Sequence, residues 1–203
     1  MKKFFFIWTV IALSSCSMSY LYALSKSSVN FNFDQTELIM AEDSVKSMKL
    51  WLVTDKKEYK LLRRKAKNVM FSKEDEVLHH FIQRLYATVT DTANAGVGIA
   101  APQVGISKNI IWVQRFDKID YPFEVYINPE ITYYSEQRQP CREGCLSIPN
   151  RSDTLLVRSE EIQIEYFNKI GEFKKEKVSG FTAVIFQHEI DHLNGVLYTD
   201  YLD

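Results

Sequence analysis

The stretch Gln187-His188-Glu189-Ile190-Asp191-His192 constrains this chain more than any other. It contains H-E-x-x-H, a spacing that makes sense on a helix, where residues four apart stack on one face. There His188 and His192 aim two imidazoles at one point. Phe181, Val184 and Ile185 continue the same face toward the N-terminus, and apolar spacing of that kind means the face is covered by the rest of the chain. Buried imidazoles without partners are costly, and a divalent metal satisfies both. Glu189 lies about 100° round the helix from His188, near a water held by that metal without having to be a ligand. Two histidine ligands with a glutamate as general base is a zinc-hydrolase arrangement. The competing reading is a solvated polar helix end that matches the motif by chance.

A catalytic metal site takes three protein ligands and keeps one position open. The chain has three cysteines, Cys16, Cys141 and Cys145. Cys145 sits in Glu143-Gly144-Cys145-Leu146-Ser147, ahead of Ile148-Pro149. The glycine permits close backbone approach and the proline marks a turn or strand edge. A Cys145 thiolate with His188 and His192 gives a Cys-His-His site for one metal ion per chain. From ligand type alone the ion reads as Zn²⁺.

A third stretch, Gly96-Val97-Gly98-Ile99-Ala100-Ala101-Pro102-Gln103, completes a set. Together with E-G-C-L-S and Q-H-E-x-D-H-L-x-G, which ends here in Leu193-Asn194-Gly195, it resembles the peptide deformylase family, with all three motifs in that family's order. The resemblance covers roughly residues 48–203. It implies an α+β fold with antiparallel or mixed strands around a central H-E-x-x-H helix. It implies hydrolysis of N-formylmethionyl peptides or nascent chains to formate and a free amino-terminal Met. It also implies Fe²⁺ as the native metal, with Zn²⁺, Ni²⁺ or Co²⁺ able to take the site, and a monomer. By the same resemblance Glu189 is the base, and the oxyanion donors are the side-chain amide of Gln103 and the backbone N–H of Leu146. Gly98 leaves backbone free for an extended peptide, and Val97, Phe181 and Val184 shape a pocket for the methionine side chain. Glu143 pairs with Arg158. Asp191 orients a ligand or ties down the helix. Cys141 is a pocket or core residue. One residue more than in bacterial relatives between Pro149 and Arg158 leaves Arg151 without a settled substrate role. A Pro-Asp-Pro usual in the family is replaced by Asp55 to Lys60, and the further C-terminal helix of many bacterial members is not expected after Asp203.

The remaining chain supplies organisation. Lys2-Lys3 precede an apolar run from Phe4 to Leu13, followed by Ser14-Ser15-Cys16-Ser17. This reads as an export signal or membrane anchor over residues 1–24. Leu13-Ser14-Ser15-Cys16 also looks like a lipoprotein box with Cys16 as the lipidated residue. An organelle address or a cytoplasmic protein is the alternative, and formylated chains occur where bacterial-type translation runs. Residues 25–47 read as a linker, with a short helix from Glu37. The catalytic domain is expected over 48–203. Leu50 to Thr54 read as a first strand. Ser72 is expected to cap a helix carrying Val77, Leu78, Phe81, Ile82, Leu85 and Val89, with His79 and His80 on its polar side. Strand character follows at 110–113, 123–127 and 131–134, with Asn128-Pro129 as a break. A half-buried strand is expected at 162–166, then a turn at 168–171 and a returning strand at 173–178. Strands in series with helices set apart indicate α+β.

A formal net charge of −1 gives no basic excess, so no nucleic-acid partner is expected. Three cysteines make no disulfide framework. Two further readings compete with the deformylase. One is an amidase or peptidase with a diverged substrate on the same site, and the other an inactive chain that retains the fold.

Overall fold

The computed structural model describes residues 28–202. The leader expected over 1–24, with Cys16, lies outside them. Among the described residues no helix is long and apolar enough to cross a membrane. The helices are α1 (Phe33–Met40), α2 (Lys56–Leu62), α3 (Glu76–Thr90) and α4 (Gly180–Leu193). The strands are β1 (Gly98–Ala100), β2 (Ile110–Gln114), β3 (Phe123–Tyr134), β4 (Arg138–Cys145), β5 (Ile148–Ser159), β6 (Glu161–Phe167) and β7 (Phe173–Ser179). Short 3-10 turns occupy Ala101–Val104 and Tyr198–Tyr201. One sheet runs β1-β2-β3-β6-β7 and a second is the β4-β5 hairpin. Every strand pairing is antiparallel, which gives the α+β architecture expected.

The large sheet lies between α3 and α4. Strand alternation sends successive side chains to opposite faces. Ile110, Val125 and Ile127 therefore meet Leu78, Phe81, Leu85 and Val89 of α3. Ile111, Val113, Tyr126, Ile162 and Ile164 meet Ala183, Ile185, Phe186 and Ile190 of α4. Because both faces are covered, β2 reads as an unbroken apolar run rather than an alternating one. The core helix α4, apolar almost all round, is thereby pinned with its C-terminal histidines at the sheet's edge.

Several expectations are corrected. Leu50 to Thr54 form no strand. Trp51 N–H donates to Gln103 O and Val53 N–H to Ser147 O, two isolated bonds rather than a ladder. The residue types suit a strand, but no sheet edge lies alongside. Asp75, not Ser72, caps α3 by accepting from Leu78 N–H at 3.0 Å. Ser72 is turned to Glu74 instead. Asn128-Pro129 does not end a strand, because β3 runs through it on a bulge. Asn128 takes a positive φ of 50°, and its side chain accepts from Val69 N–H and donates to Val69 O. The β4-β5 hairpin was not foreseen. Its segments are mostly polar and exposed, and without an apolar repeat they carry no strand signal.

The stretch read as a linker is part of the domain from residue 28 onward. Helix α1 begins four residues earlier than expected, closed by a reciprocal Asn32–Gln35 capping box. Ile39 is fully buried, and Phe31 meets Phe81 edge-on. Buried Arg84 of α3 donates to the carbonyls of Leu38 and Ile39, in the open last turn of α1, and of Lys46 and Ser47 beyond it. Burying Ile39 and Phe31 contributes roughly 3–6 kcal/mol. Deleting residues up to 47 removes this apolar burial and the carbonyl partners of buried Arg84, and should lower stability, readable as a lower urea midpoint than that of the full chain. An unchanged midpoint would restore the linker reading.

Candidate active site

Cys145 ends β4 and faces Ile148 across a turn made of Leu146 and Ser147. Helix α4 brings the other donors. Gln187 holds the helix to the end of β5: its Oε1 accepts from Ser159 N–H and its Nε2 donates to Ser159 O. The sequence reading gave Gln187 no role, yet this contact sets the distance between the histidines and the hairpin that carries Cys145. The Cys145 Sγ lies 3.1 Å from His192 Nε2. Ligand atoms of Cys145, His188 and His192 all fall within 4.8 Å of one another.

His188 Nδ1–H donates to Glu143 Oε2 at 2.8 Å, which fixes the ring and leaves Nε2 facing the site. Glu143 also accepts both Nε–H and Nη2–H of Arg158, at 2.8 and 2.9 Å. The pairing of Glu143 with Arg158 was expected, whereas the bond to His188 was not. Burial alone would raise the Glu143 carboxyl, but the bonds from His188 and Arg158 outweigh it and hold it down at about 2. Asp191 accepts from Arg158 Nη1 at 2.6 Å and from the Tyr201 hydroxyl at 3.2 Å. Of its two expected roles it takes the second, tying down the helix.

The donor set fits a divalent cation. Burial would raise the Cys145 thiol, yet the two imidazoles draw it well below the ordinary range. Burial would lower His188, yet Cys145 and Glu143 draw it well above its ordinary value. These shifts put a proton on His188 beside a Cys145 thiolate, and a cation would displace that proton by taking its place among the same donor atoms. Buried Glu189 adds a second sign. Its Oε2 has no protein partner, an acceptor facing a site that must bring its own donor. Burial pushes the Glu189 carboxyl up to about 7, against the pull of His188 and His192.

Gln103 sits in the 3-10 turn after β1. Its Oε1 accepts from Ala100 N–H at 2.8 Å, so its amide nitrogen points the other way, to Ser147 Oγ at 3.3 Å and Cys145 Sγ at 3.6 Å. Val97, Gly98, Glu143, Leu146, Phe181 and Val184 line one cleft of about 740 Å³ together with Gln103, Cys145, His188 and Glu189. Val184 is a buried wall, while Phe181 is a half-exposed rim against Phe116. Arg151 also lines the cleft. Cys141 is half-exposed on β4 and does not line it, and Cys141 and Cys145 are both free. His79 and His80 contact the backbone carbonyls of Lys73 and Glu42, away from the cleft.

Gly98 is required by contact rather than by its dihedrals. A Cβ there would stand 2.5 Å from Glu189 Oε1 and 2.8 Å from Ile185 Cγ2. Gly98→Ala should displace the Glu189 carboxylate and lower kcat about 100-fold, since small misplacements cost that much, with the bound metal retained. A kcat within threefold of wild type would mean that Glu189 need not sit there.

The arrangement can hold a cation, accept a proton beside it and donate hydrogen bonds to a developing negative charge. A sequence model of the family described as polypeptide deformylase matches residues 49–203. The peptide deformylase of Pseudothermotoga lettingae is 41% identical over 140 residues, covering 69% of this chain and 76% of that protein. That of Thermotoga neapolitana is 44% identical over 143 residues, covering 69% and 80%. Among solved structures, a class I type b peptide deformylase from Acinetobacter baumannii with Met-Ala-Ser bound superposes with a TM-score of 0.67 at 32% identity, covering 76% of this chain and 98% of that one. The Thermotoga maritima peptide deformylase superposes at 0.66 with 37% identity, covering 76% and 97%.

Proposed function

The chain belongs to the peptide deformylase family, and from that premise we propose which of its residues carry out the metal-dependent removal of the formyl group from N-formyl peptides. Cys145, His188 and His192 hold the ion, with Fe²⁺ as the native metal and Zn²⁺, Ni²⁺ or Co²⁺ as substitutes. When bound, such an ion supplies a hydroxide nucleophile near neutral pH and polarises the formyl oxygen.

The protein's own groups do the rest. Glu189 accepts the water proton and delivers it to the leaving amine. The Gln103 amide and the Leu146 N–H donate to the oxygen that becomes negative as the formyl carbon turns tetrahedral. Glu143 keeps the His188 ring in the orientation that presents Nε2. Val97, Phe181 and Val184 enclose the methionine side chain. Gly98, on the edge strand β1, offers backbone to an extended peptide. The observation that carries this reading is the cluster of Cys145, His188 and His192 beside a cleft that Cys145, His188 and Glu189 line.

The test is anaerobic release of formate from formyl-Met-Ala-Ser by the Fe²⁺-loaded full chain. Release that a chelator abolishes and Fe²⁺ restores is expected. A folded, metal-loaded protein that releases none would overturn the reading, and cleavage of unformylated peptides would favour the peptidase alternative. The leader over residues 1–24 is proposed to export or anchor the chain. Recovery of a C-terminally tagged full chain from the soluble cytoplasmic fraction, with residue 1 intact, would reject that.

A further inference from the structure

Behind the ligands the chain turns at Tyr198–Tyr201, and Tyr198 has no part in the chemistry above. It is buried, and its ring stacks on the His188 imidazole with centroids 6.0 Å apart and 25° between planes. Its hydroxyl donates to Asp153 Oδ2 at 3.2 Å. The same oxygen accepts from Arg151 Nε at 2.9 Å. Arg151 lines the cleft. Three side chains thus run from the back of a ligand to the cleft wall. The turn that starts the run is itself fixed, since Asp200 accepts from Leu197 N–H and pairs with Arg63.

The Arg151 side chain is 53% exposed and that of Asp153 28%. An arginine that exposed samples many rotamers, and ordering it when a peptide binds weakens the binding. We infer that Tyr198 is a positioning residue: by holding Asp153 it pre-orders the Arg151 guanidinium at the cleft wall, where Arg151 donates to backbone carbonyls of the peptide that follows the formylated residue. The inference rests on the reading that this cleft takes formyl peptides. It gives the tyrosine hydroxyl a role that a phenylalanine could not fill, while the stacking on His188 is common to both.

The variant Tyr198→Phe separates the two. In the Fe²⁺-loaded full chain its KM for formyl-Met-Ala-Ser should rise about threefold to tenfold, the size of one lost hydrogen bond. Its kcat should move less than twofold and its bound iron not at all. Calorimetry with the product Met-Ala-Ser should show the same weakening. Arg151→Gln should weaken binding at least as much, and the double variant should be no worse than Arg151→Gln alone. Formyl-methionine amide, with no peptide beyond the first residue, should be indifferent to both changes. Additive effects, an unchanged KM, or a fall in kcat accompanied by lost iron would overturn the inference. The last would show that Tyr198 acts only through His188. If the wild-type protein released no formate the activity reading would fail first, and the Met-Ala-Ser titration would still decide the tether.

Discussion

Glu189→Gln should give a folded, metal-loaded protein whose formate release is about 10³-fold slower, within the range that a positioned general base contributes. Glutamine keeps the shape that packs against Gly98 but cannot accept the proton. The metal should stay, because the cluster of possible ligands is Cys145, His188 and His192 without Glu189. Cys145→Ala should instead lose the metal and the activity together. The pH profile supplies a second check. Burial raises the Glu189 carboxyl to about 7, and a cation beside it favours the charged form. The rate should therefore rise with pH along a limb below 7, and Glu189→Gln should erase that limb. Metal analysis, near-ultraviolet circular dichroism and kcat at several pH values decide it. A variant with unchanged kcat would remove Glu189 from the mechanism.

Glu143→Ala should lower stability by roughly 3 kcal/mol and metal affinity by 10- to 100-fold, and the two losses have one cause. The substitution leaves Arg158 buried with half its partners gone; breaking a buried pair costs about 3–5 kcal/mol. Asp191 still holds Arg158 at 2.6 Å, which argues for the lower end. His188 meanwhile loses the acceptor that orients it, and such partners are worth 10- to 100-fold in affinity. The sign of the pH dependence follows from the depressed carboxyl. Glu143 sits at about 2 in the fold against an ordinary 4.5. Its contribution is therefore complete above pH 4.5 and is lost as pH falls toward 2. Urea midpoints from pH 7 to pH 2.5 should converge for wild type and Glu143→Gln at the acid end. Parallel curves would show that the carboxylate charge is not what stabilises this region.

The chemistry of the site was legible in the sequence because it is written in local spacing. A step of four residues from His188 to His192 stays on one helical face wherever that helix is placed. The apolar repeats of α3, β2 and β6 likewise follow from burial of one face or two. Where one side of a segment meets mostly water, as in β4 and β5, the repeat vanishes and so did the prediction. Residues 28–47 of the expected linker failed for a related reason. Their polarity suits a linker, and what docks them is Arg84, far along the chain, reaching four backbone carbonyls.

Ligand types, the base and the family motifs are readable from the residues alone. How these are held comes from contacts in the fold: Gln187 fixing helix to hairpin, Glu143 turning His188, the strand amide of Ala100 aiming Gln103, and Gly98 making room for Glu189. The physical reason is that ligand identity is a property of single residues and short spacings. Apart from the local Ala100–Gln103 bond, orientation is set by contacts between segments 28 to 91 residues apart, which leave no periodic trace in either partner.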